Sequence, residues 1–147
     1  DVMAQHCDTA YPQTLAQDRG VYGIGYNSDM SKETPNSCLT SVIWNWSAYY
    51  TSAVKSVMNG TWDGSNYYGG MAEGLVGITN LADFAADGTQ EKVDEATAAI
   101  LSGESNVFDG ALETNTGETV GSAGSTLDDA TITGGINWYY RNVVVVE

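Results

Sequence analysis

Basic residues are scarce in this sequence, and their scarcity limits the partners that the protein can bind. The 147 residues include 5 Lys plus Arg against 19 Asp plus Glu, a formal net charge of −14. Such a surface repels phosphate backbones and anionic lipid headgroups, so neither nucleic-acid binding nor electrostatic membrane binding is expected. The balance suits a secreted protein, and a salt-adapted surface is the less favoured alternative.

Long apolar runs are also missing. No stretch of 18 apolar residues exists, so the sequence predicts no transmembrane helix. The chain shows no signal-peptide pattern and opens directly on strand-like residues 1–4, an abrupt start that suggests a fragment of a longer protein. Its length and its 42% hydrophobic content are those of one globular domain with a real core.

Cysteine and histidine are rare, which leaves little for metal or covalent chemistry. Cys7 and Cys38 lack metal-ligand spacing; one disulfide is conceivable, but two inert thiols are the favoured interpretation. The single histidine, His6, precedes Cys7, and neighbours along a strand point to opposite faces, which disfavours a Cys–His nucleophile pair. No Gly-x-Ser-x-Gly, HExxH, Walker or GxGxxG motif is present. The sequence therefore predicts a protein that is not an enzyme and needs no cofactor.

The apolar residues that are present follow the pattern of an α/β fold. Two short apolar runs bounded by turn formers predict buried strands at the centre of the chain, and a strand–helix–strand unit leads into the first of them. Two later helices each carry one apolar face, which we expect to be buried. These faces are Tyr50, Ala53, Val54, Val57 and Met58 in the first helix and Val93, Ala96, Ile100 and Leu101 in the second. The predicted elements are strands at 2–5, 21–26 and 39–43, helices at 11–18, 47–59 and 89–102, a bent glycine-rich strand at 67–78, a hairpin across 112–120, a helical turn at 125–129 and extended chain at 136–146.

Polar and aromatic side chains follow the two central strands. Asn27 and Asp29 come after the first strand, and Trp44, Asn45 and Trp46 come after the second. In an open α/β sheet, ligands bind in the crevice at the carboxyl ends of the strands. Amide and carboxylate groups there can hydrogen-bond a polar ligand while an indole stacks on a flat ring. The competing interpretation is that the indoles pack the core and the polar groups satisfy a turn.

Four segments of the sequence resemble a known protein family, and they match it in order and spacing. They are DVMAQHCDTAYPQTLAQDRGVYGIGYNSDM, LTSVIWNWSAYYTSAVKSVMNGTW, GGMAEGLVGI and TLDDATITGGINWYY. In these segments the chain resembles the C-terminal part of the basic membrane protein family. Members of that family are substrate-binding lipoproteins of ABC transporters and are related to purine nucleoside receptors.

The resemblance implies a type I periplasmic-binding fold, with two Rossmann-like lobes that close on a ligand like a hinged clamp. Residues 1–147 would form the C-terminal portion, most of one lobe and the final crossovers. The N-terminal lobe and its lipid-modified cysteine would lie outside this chain. The implied role is extracytoplasmic, membrane-anchored capture of a purine-type ligand and its delivery to ABC permease subunits.

Two positions bear on the ligand. Where this chain has Asn27, nucleoside-binding relatives have an acidic residue, and where it has Trp44 they have a lysine. In those relatives the charged pair holds the ribose hydroxyls. An indole can stack on a base but cannot donate to a hydroxyl as an ammonium does. The sequence patterns A-Q-H-x-D and W-N-W resemble those of receptors for a free purine base. The resemblance therefore implies that the ligand is a base such as adenine rather than a nucleoside.

Other residues receive roles only through the resemblance. His6 and Asp8 would add polar contacts from the adjoining strand, Asp29 would hold its loop, and Trp46 would either touch the ligand or pack beneath the hinge. Two alternative functions stay open on the sequence alone. One is a ligand-sensing receptor domain, and the other is a small α/β enzyme acting on nucleosides through His6 and an aspartate.

Overall fold

A four-stranded, mainly parallel sheet is the centre of the first of two compact units, Asp1–Lys92 and the residues from Val93 onward. The computed structural model describes residues 1–146. The first three strands of the sheet are parallel, and the fourth runs antiparallel to the third. In spatial and chain order they are β1 (Val2–Ala4), β2 (Tyr22–Asn27), β3 (Cys38–Trp44) and β4 (Val76–Ile78). With helices between the strands, this arrangement confirms the predicted α/β class.

Helix α1 (Tyr11–Asp18) links β1 to β2 and lies against the sheet. A proline stands in its first turn, and Gly20, at φ 66°, ends it in the left-handed conformation. Gln13 and Ala16 are fully buried beneath it. The close packing of α1 on β2, which we call the α1 seam, depends on Gly23 of β2. A Cβ at that position would overlap the carboxamide oxygen of Gln13. The bounds of α1 are those that the sequence predicts.

Several small polar residues of the core beside β3 form hydrogen bonds within the fold. The backbone N–H of Met30 donates to the Ser41 hydroxyl at 3.1 Å. The Thr40 hydroxyl donates to the Thr79 carbonyl at 2.8 Å, and the Ser41 N–H donates to the Thr79 hydroxyl at 2.9 Å. These bonds attach the loop after β2 and the segment after β4 to the middle of the sheet.

Helix α2 (Trp46–Met58) forms within one residue of the predicted bounds, but its apolar face is not buried as expected. Val54, Val57 and Met58 are 58%, 61% and 80% exposed. The half-buried positions of α2 are instead Ala48, Tyr49, Ala53 and Ser56, and no described element of the first unit covers the predicted face. Helix α3 (Thr89–Ser102) has the predicted bounds, yet Ile100 and Leu101 on its expected buried face are exposed as well.

The glycine-rich segment before β4 is mostly irregular, contrary to the predicted strand at 67–78. Only Val76–Ile78 pairs with the sheet. A turn precedes it at 71–74, ending at Gly74 with φ 69°. A left-handed residue interrupts an extended chain, so the strand can begin only after it.

The second unit contains the predicted hairpin, β5 (Leu112–Glu113) with β6 (Thr119–Val120). The predicted helical turn at 125–129 is displaced toward the C-terminus, where a π-helical turn occupies Thr131–Gly135. The described part of the final segment, 136–146, holds no regular strand; instead the Arg141 N–H donates to the Glu113 carbonyl at 3.0 Å alongside the hairpin. Val143 to Val146 are exposed.

Cys7 and Cys38 are free thiols, the first exposed and the second buried. Among residues 1–146, none of the helices is both long and apolar enough to cross a membrane.

Candidate functional site

The carboxyl ends of β1, β2 and β3 lie side by side, because the three strands are adjacent and parallel. Ala4 pairs with Ile24 in the middle of β2, and Asn27 at the end of β2 pairs with Ile43 near the end of β3. The segments that leave these strands therefore meet at one edge of the sheet. Strand topology predicts a binding crevice at this edge.

The segment after β1 is shaped by the side chain of Gln5. Its carbonyl oxygen accepts the Cys7 N–H at 2.9 Å, and its amide nitrogen donates to the Thr9 carbonyl at 3.1 Å. We call residues 5–9 the β1 loop. Bridging by one side chain fixes the path of the backbone, and His6 and Asp8 are presented at its surface.

The last two residues of β2 contact the β1 loop at two points. The Tyr26 ring lies against the His6 ring, with centroids 4.3 Å apart. The Asn27 amide donates to one carboxylate oxygen of Asp8 at 3.2 Å. The structure thus brings together His6, Asp8 and Asn27, all predicted from the sequence. Tyr26 was missed, although its position next to Asn27 at the strand end was a signal that could have identified it.

A run of stacked rings, which we call the aromatic ladder, begins where β3 ends. The Trp44 and Trp46 rings are 5.8 Å apart and inclined by 24°, and Tyr50 follows Trp46 at 6.0 Å and 21°. Tyr49 is tilted against Tyr50 at 5.7 Å and stacks on Tyr67 at 4.6 Å. The two tryptophans were predicted. Tyr50 had been assigned to a buried helix face, but it lies in the exposed ladder.

Asn45 is placed between the two indoles, and its polar groups have partners within the protein. Its backbone N–H donates to the Leu75 carbonyl at 2.7 Å, and its side-chain amide donates to the Gly74 carbonyl at 3.2 Å. Its side-chain oxygen accepts the Ser47 hydroxyl. These bonds attach the start of α2 to the turn before β4, and ligand contact by Asn45 stays a prediction.

Asp29 lies apart from the Asp8–Asn27 pair. Asp8 and Asn27 line a small cleft of about 140 Å³, whereas Asp29 lines another of about 570 Å³ together with Thr40 and Thr79. The hydroxyl and backbone N–H of Ser31 and the charge of Lys32 hold the pKa of the Asp29 carboxyl below its ordinary value. A carboxylate that accepts the Ser31 N–H at 2.9 Å stabilises its own turn.

The side chains at this edge can bind a ligand non-covalently, through hydrogen bonds and ring stacking. The edge offers a carboxylate acceptor, amide donors, an imidazole and near-parallel indole faces, which together suit a flat heterocycle with polar edges. The described residues contain no group of three or more His, Cys, Asp or Glu that could hold a metal ion.

Comparison with known proteins gives a family and several relatives. The model of the Bmp family, described as ABC transporter substrate-binding protein PnrA-like, matches residues 1–109. A purine-binding protein of Brucella abortus (strain 2308) is 36% identical over 143 residues, which are 97% of this chain and 40% of that protein. A putative ABC transporter glucose-binding protein of Haloferax volcanii is 32% identical over 113 residues, 75% of this chain and 28% of that protein.

Among solved structures, the fold is similar to that of a transcriptional activator of the comK gene from Bacillus halodurans. The TM-score is 0.63 at 21% sequence identity, covering 73% of this chain and 38% of that one. This likeness concerns the fold alone. The chain spans well under half the length of the curated relatives that it matches.

Proposed function

This chain belongs to the Bmp family of PnrA-like ABC transporter substrate-binding proteins, and from that premise we propose that the complete protein captures a purine-type ligand outside the cytoplasmic membrane. An ABC permease would receive the ligand. The family match confirms the resemblance carried by the sequence, and it agrees with the prediction of a protein without catalytic activity. Anchoring through a lipid on a preceding segment is part of the same proposal.

The observation that carries the proposal is the pairing of a stacking surface with a polar pair at adjacent strand ends. The Trp44 and Trp46 indoles are near-parallel at the end of β3. The Asp8 carboxylate and the Asn27 amide meet between the ends of β1 and β2. A purine ring needs both kinds of contact, because its faces stack and its edges carry donors and acceptors. The name of the Brucella abortus relative supports the same ligand class.

A free base is favoured over a nucleoside by the residue types at two positions. Nucleoside-binding relatives hold the ribose hydroxyls with a carboxylate and an ammonium, and here Asn27 and Trp44 occupy those positions. An indole presents one N–H donor and otherwise an apolar face. Burying the hydroxyls of a sugar costs free energy unless they form hydrogen bonds in the site. With an amide and an indole in place of the charged pair, the groups that would form those bonds are gone.

Closure of a second lobe over this edge would complete the site. The cleft beside Asp8 and Asn27 measures only about 140 Å³ in this chain, less than drug-sized ligands occupy. Affinity in the complete protein would come from stacking, a few hydrogen bonds and the exclusion of water when the lobes meet.

Isothermal titration of the complete two-lobed protein tests this function, with adenine, adenosine and glucose as separate ligands. We expect adenine to bind most tightly. Replacing Trp44 with Ala should weaken adenine binding by roughly tenfold or more, because one aromatic stacking contact contributes about 1–3 kcal/mol. Trp62→Ala is the control, since Trp62 is an exposed indole that is not among the rings of the aromatic ladder. Clearly tighter binding of adenosine would overturn the preference for a free base.

Sugar binding is the second candidate, and one observation favours it. An exposed indole also accepts the apolar face of a pyranose, and the Haloferax volcanii relative carries the name of a glucose-binding protein. The same titration decides between the two classes, since a protein that binds glucose and neither purine would exclude the leading proposal. A signalling receptor would bind the same ligand, and neighbouring permease and ATPase genes would distinguish transport from signalling.

A further inference from the structure

We propose that Asn27 acts on the ligand through Asp8, as a positioning residue that holds the Asp8 carboxylate in place. The inference rests on the proposed function and deepens it. It assigns Asp8 the direct contact and gives the ligand a chemical requirement, an N–H donor facing that carboxylate. Asn27 itself then need not touch the ligand.

The backbone at Asn27 is the first support. Asn27, at φ 69°, is the only non-glycine residue with a positive φ in the part of the chain that the structure describes. The left-handed conformation costs most residues about 1–2 kcal/mol, and asparagine is among the few that tolerate it. Such conformations concentrate where function needs them. Here it ends β2 in a tight turn, with the Ser28 N–H donating to the Tyr26 carbonyl at 2.8 Å.

The direction of the Asn27 side chain is the second support. Its amide crosses from the end of β2 to the β1 loop and donates to Asp8 Oδ1 at 3.2 Å. Gln5 fixes the backbone on both sides of Asp8 through Cys7 and Thr9. The carboxylate is therefore held at its backbone and at one oxygen before any ligand arrives. Preorganised groups lose less entropy on binding.

The second carboxylate oxygen of Asp8 determines which hydrogen-bonding group the ligand must have. Asp8 Oδ2 has no hydrogen-bond partner within residues 1–146, and an ionised carboxylate only accepts hydrogen bonds. A ligand N–H, such as the exocyclic amine or a ring N–H of a purine base, would donate to it. Hydrogen bonds to a charged acceptor are roughly twice as strong as neutral ones, so the position of Asp8 determines a large part of the affinity.

A double-mutant cycle on the complete two-lobed protein tests the inference, with adenine as the titrated ligand. Asn27→Gly keeps the left-handed backbone and removes only the amide. Because the hydrogen bond involves a charged group, we expect Asn27→Gly to weaken binding roughly tenfold and Asp8→Ala to weaken it further. In the Asp8→Ala background, Asn27→Gly should have no additional effect, since its target is gone. The same tenfold loss in both backgrounds would show that Asn27 contacts the ligand itself and would overturn the inference.

Asn27→Asp supplies a second readout that a purely structural role would not change. At neutral pH it places a carboxylate against Asp8, which removes the donor and adds repulsion. As the pH falls, the introduced carboxyl takes up a proton and its O–H donor replaces the lost amide, so binding relative to the wild type should recover at acidic pH. The other titratable groups here, His6 on the β1 loop and Glu33 beside the cleft, are present in both proteins and cancel in their ratio.

Controls separate the possible failures. Asn66→Gly makes the same substitution in an exposed loop and should leave adenine affinity unchanged. Thermal unfolding of each variant shows whether it is folded. A wild-type protein that does not bind adenine would overturn the proposed function and this inference with it. Wild-type binding combined with additive losses, or with a variant-to-wild-type ratio independent of pH, would overturn this inference alone.

Discussion

Helices α1 and α2 each follow a strand of the same parallel sheet, yet only α1 buries side chains against it. α1 is a short helix whose buried positions are Gln13 and Ala16. α2 is longer and more apolar, but Val57 and Met58 on its apolar face lie mostly in solvent. The comparison shows that an amphipathic pattern predicts which face needs covering and does not predict where the covering surface comes from. For α2 we expect it to come from the additional length that the relatives have.

The largest expected effect is on the α1 side. Gly23→Ala would force a methyl group onto the Gln13 carboxamide, and overpacking a tight core costs typically 1–3 kcal/mol, occasionally more. We expect a loss of about 3 kcal/mol in the free energy of unfolding, measured by chemical denaturation. Gly77→Ala in β4 is the matched control, because nothing lies within 4 Å of its Cβ position. Equal stability of the two variants would contradict the tight α1 seam.

The second prediction concerns the α2 side and depends on the length of the chain studied. Val57→Ser removes an apolar side chain that is 61% exposed, so in this chain we expect a change within about 0.5 kcal/mol. In the complete protein we expect a loss of about 1–2 kcal/mol, because the face would be buried there.

Tyr11→Ser on the exposed side of α1 serves as the control for Val57→Ser. Its effect on the free energy of unfolding should be small in both chain lengths. If Val57→Ser were also neutral in the complete protein, the apolar face of α2 would be exposed to solvent there too. The difference in burial between α1 and α2 would then not result from the shorter chain.

The smallest expected effect compares two similar aspartate turns. Asp29 accepts the Ser31 N–H in the loop after β2, and Asp63 accepts the Ser65 N–H in the loop after α2. These serines hold both carboxyl pKa values below the ordinary value. A lowered pKa contributes stability above the unfolded pKa, and that contribution disappears as the pH falls through the folded pKa.

We therefore expect Asp29→Ala to lower the thermal unfolding midpoint slightly at pH 7, with the difference shrinking below about pH 4. Asp29 is nearly fully solvated, so the effect is small. Asp63→Ala should be smaller still, because Asp63 lies in an exposed loop beside α2 rather than next to the core. A larger effect at Asp63 would reverse the order of the two regions.

Much of the fold could be predicted because local chemistry determines it. A proline in the first turn and a left-handed glycine after the last turn fixed the bounds of α1. Short apolar runs bounded by turn residues located β2 and β3. The buried state of α2 and α3 could not be predicted, because burial depends on surfaces that helical periodicity does not contain.

The candidate site shows the same division. Strand-end logic placed Asn27 at the sheet edge, and the family resemblance added Asp8, with which Asn27 pairs in the structure. It could not show that Asn45 bonds to Gly74, which depends on a distant turn, or that Tyr50 continues the aromatic ladder. It also grouped Asp29 with Asn27, although the chain turns at Asn27 and carries Asp29 to another cleft. The ligand roles of these residues stay predictions.

The antiparallel direction of β4 has a consequence for the size of the ligand. Because β4 runs opposite to β3, the residue beside Trp44 is Val76, the first residue of β4. The turn that ends at Gly74 lies before it and limits the row of strand ends on that side. Within residues 1–146, only the ends of β1, β2 and β3 then open onto this sheet edge. Strands are about 4.8 Å apart, so these ends span about 10 Å. If the proposed site is correct, we expect that width to fit one bicyclic ring system lying across the sheet edge and not two nucleotides in line.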